Sequence, residues 1–63
     1  MNKEKLEAAI IKLIDHFEIK KQIGYRAMIM KKWDENKDKD MNKFLADLIL
    51  ITMKFKEEES NGN

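Results

Sequence analysis

An all-α fold is predicted for this 63-residue chain by three observations. The sequence contains no proline and only two glycines, so little interrupts a regular backbone. Lysine, glutamate, leucine, isoleucine, methionine and alanine make up much of the chain, and all favour helix or are compatible with it. Its apolar side chains also recur at helical spacing in three segments. We therefore expect a small helical hairpin or three-helix unit, with helices at about 3–23, 25–35 and 40–57.

The first predicted helix begins near residue 3, after Asn2, which is a suitable N-cap. Its apolar side chains fall on one face when successive residues are rotated by about 100°. This apolar stripe consists of Leu6, Ala9, Ile10, Leu13, Ile14 and Phe17. Such a stripe is typical of a helix with one buried side.

Beyond Phe17 the apolar residues move to a different face, which holds Ile19, Ile23, Ala27, Met30 and Trp33. The rotation between the two faces is far larger than the drift of a straight helix. Either one long helix is contacted on two sides, or the chain bends. We favour a bend at Gly24, a typical residue for a helix end, followed by a second helix from Tyr25 to about Glu35.

The strongest break is the polar run at 34–40, where Asp38 or Asp40 can cap the third helix. In that helix, apolar residues repeat at alternating steps of three and four. This seam consists of Met41, Phe44, Leu48, Ile51 and Phe55, and Leu45, Ile49 and Thr52 beside it widen the apolar arc to about 160°. The three consecutive glutamates at 57–59 place negative charge at the C-terminal end of the helix, where the helix dipole disfavours it, so the helix should fray there. We therefore expect a single domain over 1–58 and a disordered polar tail over 59–63.

The apolar arc of the third helix is wider than one neighbouring helix can cover. A core this small also stabilises a fold weakly unless disulfides, a metal or self-association contributes. The chain has no cysteine, and His16 has no ligand-type spacing around it. We therefore expect a homodimer or higher oligomer that completes a helical bundle through the apolar seam of the first and third helices.

Several function classes are disfavoured by the sequence. The longest apolar run, at 48–53, is far shorter than the roughly 20 residues of a bilayer-spanning helix. The first residues lack the apolar centre of a signal peptide, so we expect a cytoplasmic protein that does not associate with membranes. His16 is the only histidine and no nucleophile is spaced to meet it, so we expect no enzyme, cofactor, metal or small-molecule substrate.

Oxygen-bearing side chains alternate in the polar run, as in an EF-hand calcium loop, at Asp34, Asn36, Asp38 and Asp40. Lys39 and Leu45 stand where calcium binding needs the glycine of the sharp turn and the bidentate glutamate. We therefore interpret the run as a solvated interhelical loop that supplies an N-cap.

The segment 20–32 carries five cations and no acid, although the net charge of the chain is only +1. The cations are Lys20, Lys21, Arg26, Lys31 and Lys32, and Tyr25 and Trp33 lie among or beside them. Cations that neutralise phosphates and rings that stack on bases are typical of nucleic-acid binding. The same cations suit an acidic protein partner or a solvated helix face.

Part of this segment resembles a helix-turn-helix motif. Residues 18–24 followed by 26–29 are similar to the first helix and turn of many bacterial regulators, with Trp33 anchoring the second helix. The resemblance implies DNA binding through that second helix. Two features depart from the motif: Lys20 replaces a small residue, and the turn from Gly24 to Arg26 is one residue short.

In size and layout the predicted unit resembles the small helical-hairpin dimer proteins encoded by plasmids and phages. This resemblance implies a regulatory protein without chemistry of its own. We expect stoichiometric binding to another protein, because a net charge near zero exerts little long-range attraction on nucleic acid. The alternatives are a small DNA- or RNA-binding transcriptional or copy-number regulator that uses residues 20–33, and a structural or assembly component.

Overall fold

The computed structural model describes residues 3–62, so the expected Asn2 cap lies outside the described residues. This range folds into three helices, α1 (Lys3–Phe17), α2 (Gln22–Glu35) and α3 (Met41–Asn61), and contains no β-strand. The all-α prediction is confirmed, in its three-helix form. Completion of a larger bundle by dimerisation stays a prediction.

The central element is α3, which contacts both α1 and α2, whereas α1 and α2 contact each other least. The directions of α2 and α3 are opposite, since Tyr25 meets Thr52 and Trp33 meets Phe44. The molecule measures 35 × 18 × 18 Å, and the 21 residues of α3 nearly span its long axis at about 1.5 Å per residue. The other two helices therefore pack along one long helix.

The core draws on all three helices and on the connection between the first two. Its buried apolar residues are Leu6, Ile10, Ile19, Tyr25, Ile29, Trp33, Phe44 and Leu48. The remaining residues of the expected seam are half-buried: Leu13, Phe17, Met41, Leu45, Ile51 and Phe55. Much of the wide arc of α3 is therefore covered within one chain, by two neighbouring helices instead of one. The seam is thus the core of a single chain and not the open surface through which a dimer was expected to form.

The N-terminus of α3 is capped as the sequence predicts. Asp40 is the N-cap, and its Oδ1 accepts a hydrogen bond from the backbone N–H of Asn42 at 2.9 Å. The C-terminal end differs from the expectation, because residues 59–61, assigned to the polar tail, form the last turn of α3. Asn63 lies outside the described residues.

The first break lies at 18–21, and the expected bend at Gly24 is wrong. Glu18 has a left-handed backbone, with φ of 52°. Its N–H donates to the carbonyl of Asp15 at 3.3 Å, and the N–H of Ile19 donates to that of Ile14 at 3.0 Å. This pair of bonds is a Schellman motif, in which Glu18 occupies the position that glycine usually takes. Helix α1 therefore ends at Phe17.

The buried face of α2 also differs from the expectation. Gly24 lies inside the helix, and the buried residues are Tyr25, Ile29 and Trp33, at steps of four. Ile23 and Ala27, which were expected to share the face of Trp33, are exposed. The reason is that α2 starts anew after the Schellman motif, so its rotation does not continue the helical phase of the preceding residues.

A buried hydrogen-bond chain joins α2 to α3. The Thr52 hydroxyl donates to the backbone carbonyl of Leu48 at 2.6 Å, so the Tyr25 hydroxyl must donate to Thr52 Oγ1, also at 2.6 Å. The Tyr25 ring also packs against Phe55, with ring centroids 5.3 Å apart. Burial raises the pKa of Tyr25 above its usual value of 10.0. A polar side chain thus fixes the rotation of α2 in an otherwise apolar contact.

Two substitutions test the position of the first break. Glu18→Gly removes a Cβ from a residue with a left-handed backbone, where a Cβ is unfavourable. Gly24→Ala reduces the backbone freedom of the unfolded chain, and the added Cβ meets nothing within 4 Å beyond the backbone of its own helix. We expect each to raise the free energy of unfolding by about 1 kcal/mol, measured by urea unfolding with circular dichroism. A Gly24→Ala variant less stable than wild type would contradict this account.

Tyr25→Phe tests the hydrogen-bond chain. At neutral pH we expect the variant to lose about 0.5–1.5 kcal/mol of unfolding free energy. Because the folded state holds the pKa of Tyr25 above 10.0, the wild type should lose stability as the pH rises through and beyond that value. The variant should lose less over the same interval. The chain has one tyrosine, so tyrosinate absorbance reads its ionisation directly; a titration at the ordinary pKa in the folded state would refute the burial argument.

Candidate binding surfaces

The cations of segment 20–32 do not form one surface. Lys20 and Lys21 lie in the connection between α1 and α2, and Lys31 lies on the outer side of α2; all three are exposed. Lys32 and Arg26 are half-buried, and Arg26 Nη1 donates to Glu7 Oε2 at 3.1 Å. An ion pair within the chain therefore occupies one of the five cations expected to contact a partner.

The two aromatic residues proposed to contact nucleic acid are core residues, which corrects the sequence-based expectation. Tyr25 is fully buried against α3. Trp33 is also buried, with its ring edge-on to Phe44 at a centroid distance of 5.3 Å. Neither ring can stack on an unpaired base without unfolding this part of the core. The error arises because a ring beside cations has the same local sequence whether it points outward or inward.

The helix-turn-helix resemblance also fails at its turn. Residues 24–26, where the motif needs a break between two helices, lie within the continuous helix α2. The connection that does precede α2 lies at 18–21, which the motif assigns to its first helix.

The position of Lys20 and Lys21 is fixed by a side chain from the far end of α3. The N-cap residue of α2, Lys21, makes no side-chain capping bond. Glu59 supplies the acceptor instead: its Oε2 accepts from the N–H of Lys21 at 2.9 Å, and both its oxygens accept from the N–H of Lys20 at 3.2 Å. We call this arrangement the Glu59 cap. It satisfies the N–H of the N-cap residue, which a helix start otherwise leaves unpaired, and also the N–H of the residue before it.

Lys56 reinforces the Glu59 cap. Its Nζ donates to the backbone carbonyl of Glu18 at 3.1 Å and to Glu59 Oε1 at 3.3 Å. The Glu59 side chain is only 6% exposed. The N–H of Lys21 is the main cause that lowers the pKa of Glu59 below its usual value of 4.5. The carboxylate is therefore held in its charged form against the connection between α1 and α2.

Sequence reasoning missed the Glu59 cap, although a signal was present. Glu59 follows Phe55 by four residues and Thr52 by seven, so it lies on the core side of α3. Glu57 and Glu58 share its local composition but not its helical phase, and both are exposed.

One candidate binding surface is the outer side of α2 and the connection before it. We call it the α2 face: Lys20, Lys21, Ile23, Ala27 and Lys31. Ile23 is 87% exposed. Ile23, Ala27 and Lys31 follow one another at steps of four and so form one line along the helix. The surface presents an isoleucine between cations.

A second candidate surface runs along α3, nearly opposite the core. We call it the α3 stripe: Ala46, Ile49, Leu50 and Met53, at the helical spacing of one apolar face. Ile49 is 48% exposed, Leu50 66% and Met53 50%. Leu50 and Met53 lie outside the repeat of the seam, so their exposure follows from their phase on α3, whereas the exposure of Ile49 corrects its expected place beside the seam. This helix therefore has an apolar side that no other part of residues 3–62 covers.

The described residues offer little chemistry beyond these surfaces. Within residues 3–62, no cluster of three histidine, cysteine or acidic side chains is arranged to hold a metal ion. In the loop with EF-hand-like spacing, Asp34 pairs with Lys37 at 3.5 Å and Asp40 caps α3. None of the helices in this range combines the length and the apolar character needed to cross a bilayer.

Comparisons with protein-family models, curated proteins and solved structures found no match to this chain.

Glu59→Gln tests the cap. The amide can still accept a hydrogen bond but carries no charge, so we expect lower stability at neutral pH than in wild type. Because folding lowers the pKa of Glu59, its carboxylate should stabilise the wild-type fold fully above pH 4.5. This stabilisation should be lost as the pH falls through the folded pKa. The variant should lack that loss. Thermal unfolding across this pH range, with Glu58→Gln as control, measures the difference; equal behaviour of the two variants would contradict the cap.

Proposed function

We propose that this protein is a non-enzymatic, cytoplasmic regulatory protein that binds another protein stoichiometrically, as a homodimer or higher oligomer. The observation that carries the proposal is the 87% exposure of Ile23 within the α2 face. A large apolar side chain held open on a well-formed helix gains free energy only when a partner covers it.

The composition of the α2 face favours an acidic, partly apolar protein segment as the partner. Burying an isoleucine side chain contributes roughly 1.5–3 kcal/mol. Lys20, Lys21 and Lys31 place positive charge around Ile23, and charges at the rim of an interface raise the association rate with an acidic partner. An amphipathic helix with acidic side chains fits both features.

Support for a non-catalytic role comes from the hydroxyl and imidazole groups. The Thr52 hydroxyl is buried and donates to the Leu48 carbonyl, so it is not placed to attack a substrate. His16 is exposed at the end of α1, where it packs edge-on to Phe17. Ser60 is exposed in the last turn of α3. Within residues 3–62, no hydrogen bond joins His16 to either hydroxyl, whereas nucleophilic catalysis needs a nucleophile in contact with its base.

Nucleic-acid binding is the second candidate, favoured by the exposure of Lys20, Lys21 and Lys31. Three exposed lysines can neutralise phosphates, and the net charge of the chain is +1. The candidate is weakened by the burial of Tyr25 and Trp33, which removes the stacking of rings on bases, and by the ion pair of Arg26. A regulator of this kind would therefore bind through phosphates alone.

Two variants of the α2 face separate the candidates. One replaces Lys20, Lys21 and Lys31 by glutamine; the other is Ile23→Ser. The probes are a fluorescent acidic amphipathic helical peptide and random-sequence duplex DNA, each measured by anisotropy over a salt series. We expect the peptide to bind, and both variants to weaken it, because the interface is apolar and electrostatic at once.

A matched control replaces Lys3, Lys12 and Lys54, which are exposed elsewhere, by glutamine and so changes the net charge equally. It should leave peptide binding nearly unchanged. The second candidate would be supported instead by DNA binding with a steep salt dependence that Ile23→Ser does not affect. In a plot of the logarithm of the DNA-binding constant against the logarithm of the salt concentration, the steepness should then fall by about 0.9 for each phosphate that the glutamine variant no longer neutralises. Peptide binding that neither variant alters would overturn the proposal.

A further inference from the structure

The α3 stripe is a second unpartnered surface, distinct from the α2 face. Its four residues occupy one side of a long helix, with spacing that matches the apolar side of a helix packed against another helix. Leu50 also borders a concave surface between α3 and the end of α2, lined by Lys32, Asn36, Lys39, Phe44, Asp47 and Ile51. A partner helix laid along the stripe therefore meets both a ridge and a depression.

The α3 stripe is self-complementary when one copy is reversed. Its residues are symmetric about the midpoint between Ile49 and Leu50. In an antiparallel pair of α3 helices, Ala46 of one copy faces Met53 of the other, and the Ile49 and Leu50 side chains of both copies meet around the two-fold axis. A small side chain then opposes a large one at both ends, while two branched side chains meet in the middle. Alternation of large and small side chains across facing positions is the pattern that lets packed helices interdigitate.

The charges at the two ends of the α3 stripe favour the same orientation. Lys43 lies one turn before Ala46, and Glu57 lies one turn after Met53; both are exposed. An antiparallel pair brings Lys43 of each copy beside Glu57 of the other, whereas a parallel pair brings like charges together. The helix dipoles are also opposed in the antiparallel pair, which is the favourable arrangement.

We infer that the α3 stripe binds a second copy of this chain, through an antiparallel α3 pair with its two-fold axis between Ile49 and Leu50. The inference rests on the self-association in the proposed function and specifies its surface and orientation. Such an interface is isologous, since the same residues meet from both sides and the assembly closes as a dimer. It uses no residue of the α2 face, so each copy keeps that face for another partner.

Leu50→Asp tests the surface. Leu50 is 66% exposed, so we expect the helical circular dichroism of the wild type to be retained. Sedimentation equilibrium at micromolar concentration should give twice the chain mass of 7.5 kDa for wild type and 7.5 kDa for the variant. Ile11→Asp is the matched control, because Ile11 is 56% exposed on α1, and it should stay dimeric. By contrast, Leu48→Asp should unfold the chain, because Leu48 is buried in the core.

Charge reversal tests the orientation at low ionic strength. Lys43→Glu and Glu57→Lys should each weaken the antiparallel dimer about tenfold, because two symmetric pairs change from attraction to repulsion. The double variant should recover wild-type affinity. A parallel dimer would respond differently, since each single variant only exchanges one like-charged pair for another and leaves affinity unchanged.

The outcomes separate this inference from the proposed function. A dimer that survives Leu50→Asp, or single charge variants that bind as wild type does, would overturn the antiparallel α3 interface while leaving self-association intact. A wild-type monomer from micromolar to millimolar concentration would overturn the interface and the oligomer together. Peptide binding at the α2 face is measured separately and decides the proposed partner in either case.

Discussion

The buried contact between Tyr25 and Thr52 determines how α2 sits on α3. Because the Thr52 hydroxyl already donates to the Leu48 carbonyl, it offers Tyr25 an acceptor at one rotation of α2 only. With Tyr25 facing inward, Ile29 and Trp33 follow it into the core at steps of four. The opposite side of the helix then carries Ile23 and Ala27 outward. The polar contact in the core and the apolar exposure at the surface thus have one cause.

The sequence predicted those parts of the fold that depend on local periodicity. Burial of the seam residues Leu6, Ile10, Phe44 and Leu48 was predictable because it follows from helical spacing. The Asp40 cap of α3 was predictable because it needs only an N–H two residues away. The first break could not be located in this way. Glycine is common at helix ends because it readily adopts a left-handed backbone. Gly24 nevertheless lies inside α2, and the left-handed residue that follows α1 is Glu18. The end of α1 is set by Schellman hydrogen bonds, which favour glycine without requiring it.

The exposed residues of the two candidate surfaces differ in how far the sequence alone predicts them. Exposure of Leu50 and Met53 followed from their phase on α3, which the strong seam defines. Exposure of Ile23 and burial of Trp33 depend on the rotation of α2, whose apolar residues define no single face. That rotation is set by contacts with residues more than ten positions away, such as Phe44 and Thr52. Local patterns therefore fail where a tertiary contact selects the face of a helix.

The Glu59 cap joins residues separated by 38 and 39 positions along the chain. Helix α2 has no capping side chain of its own, and short helices in water are only marginally stable without tertiary packing. During synthesis, α2 therefore lacks both its cap and its packing partner until residue 59 has left the ribosome. We expect the nascent chain to remain largely unfolded until then and to fold in one cooperative step.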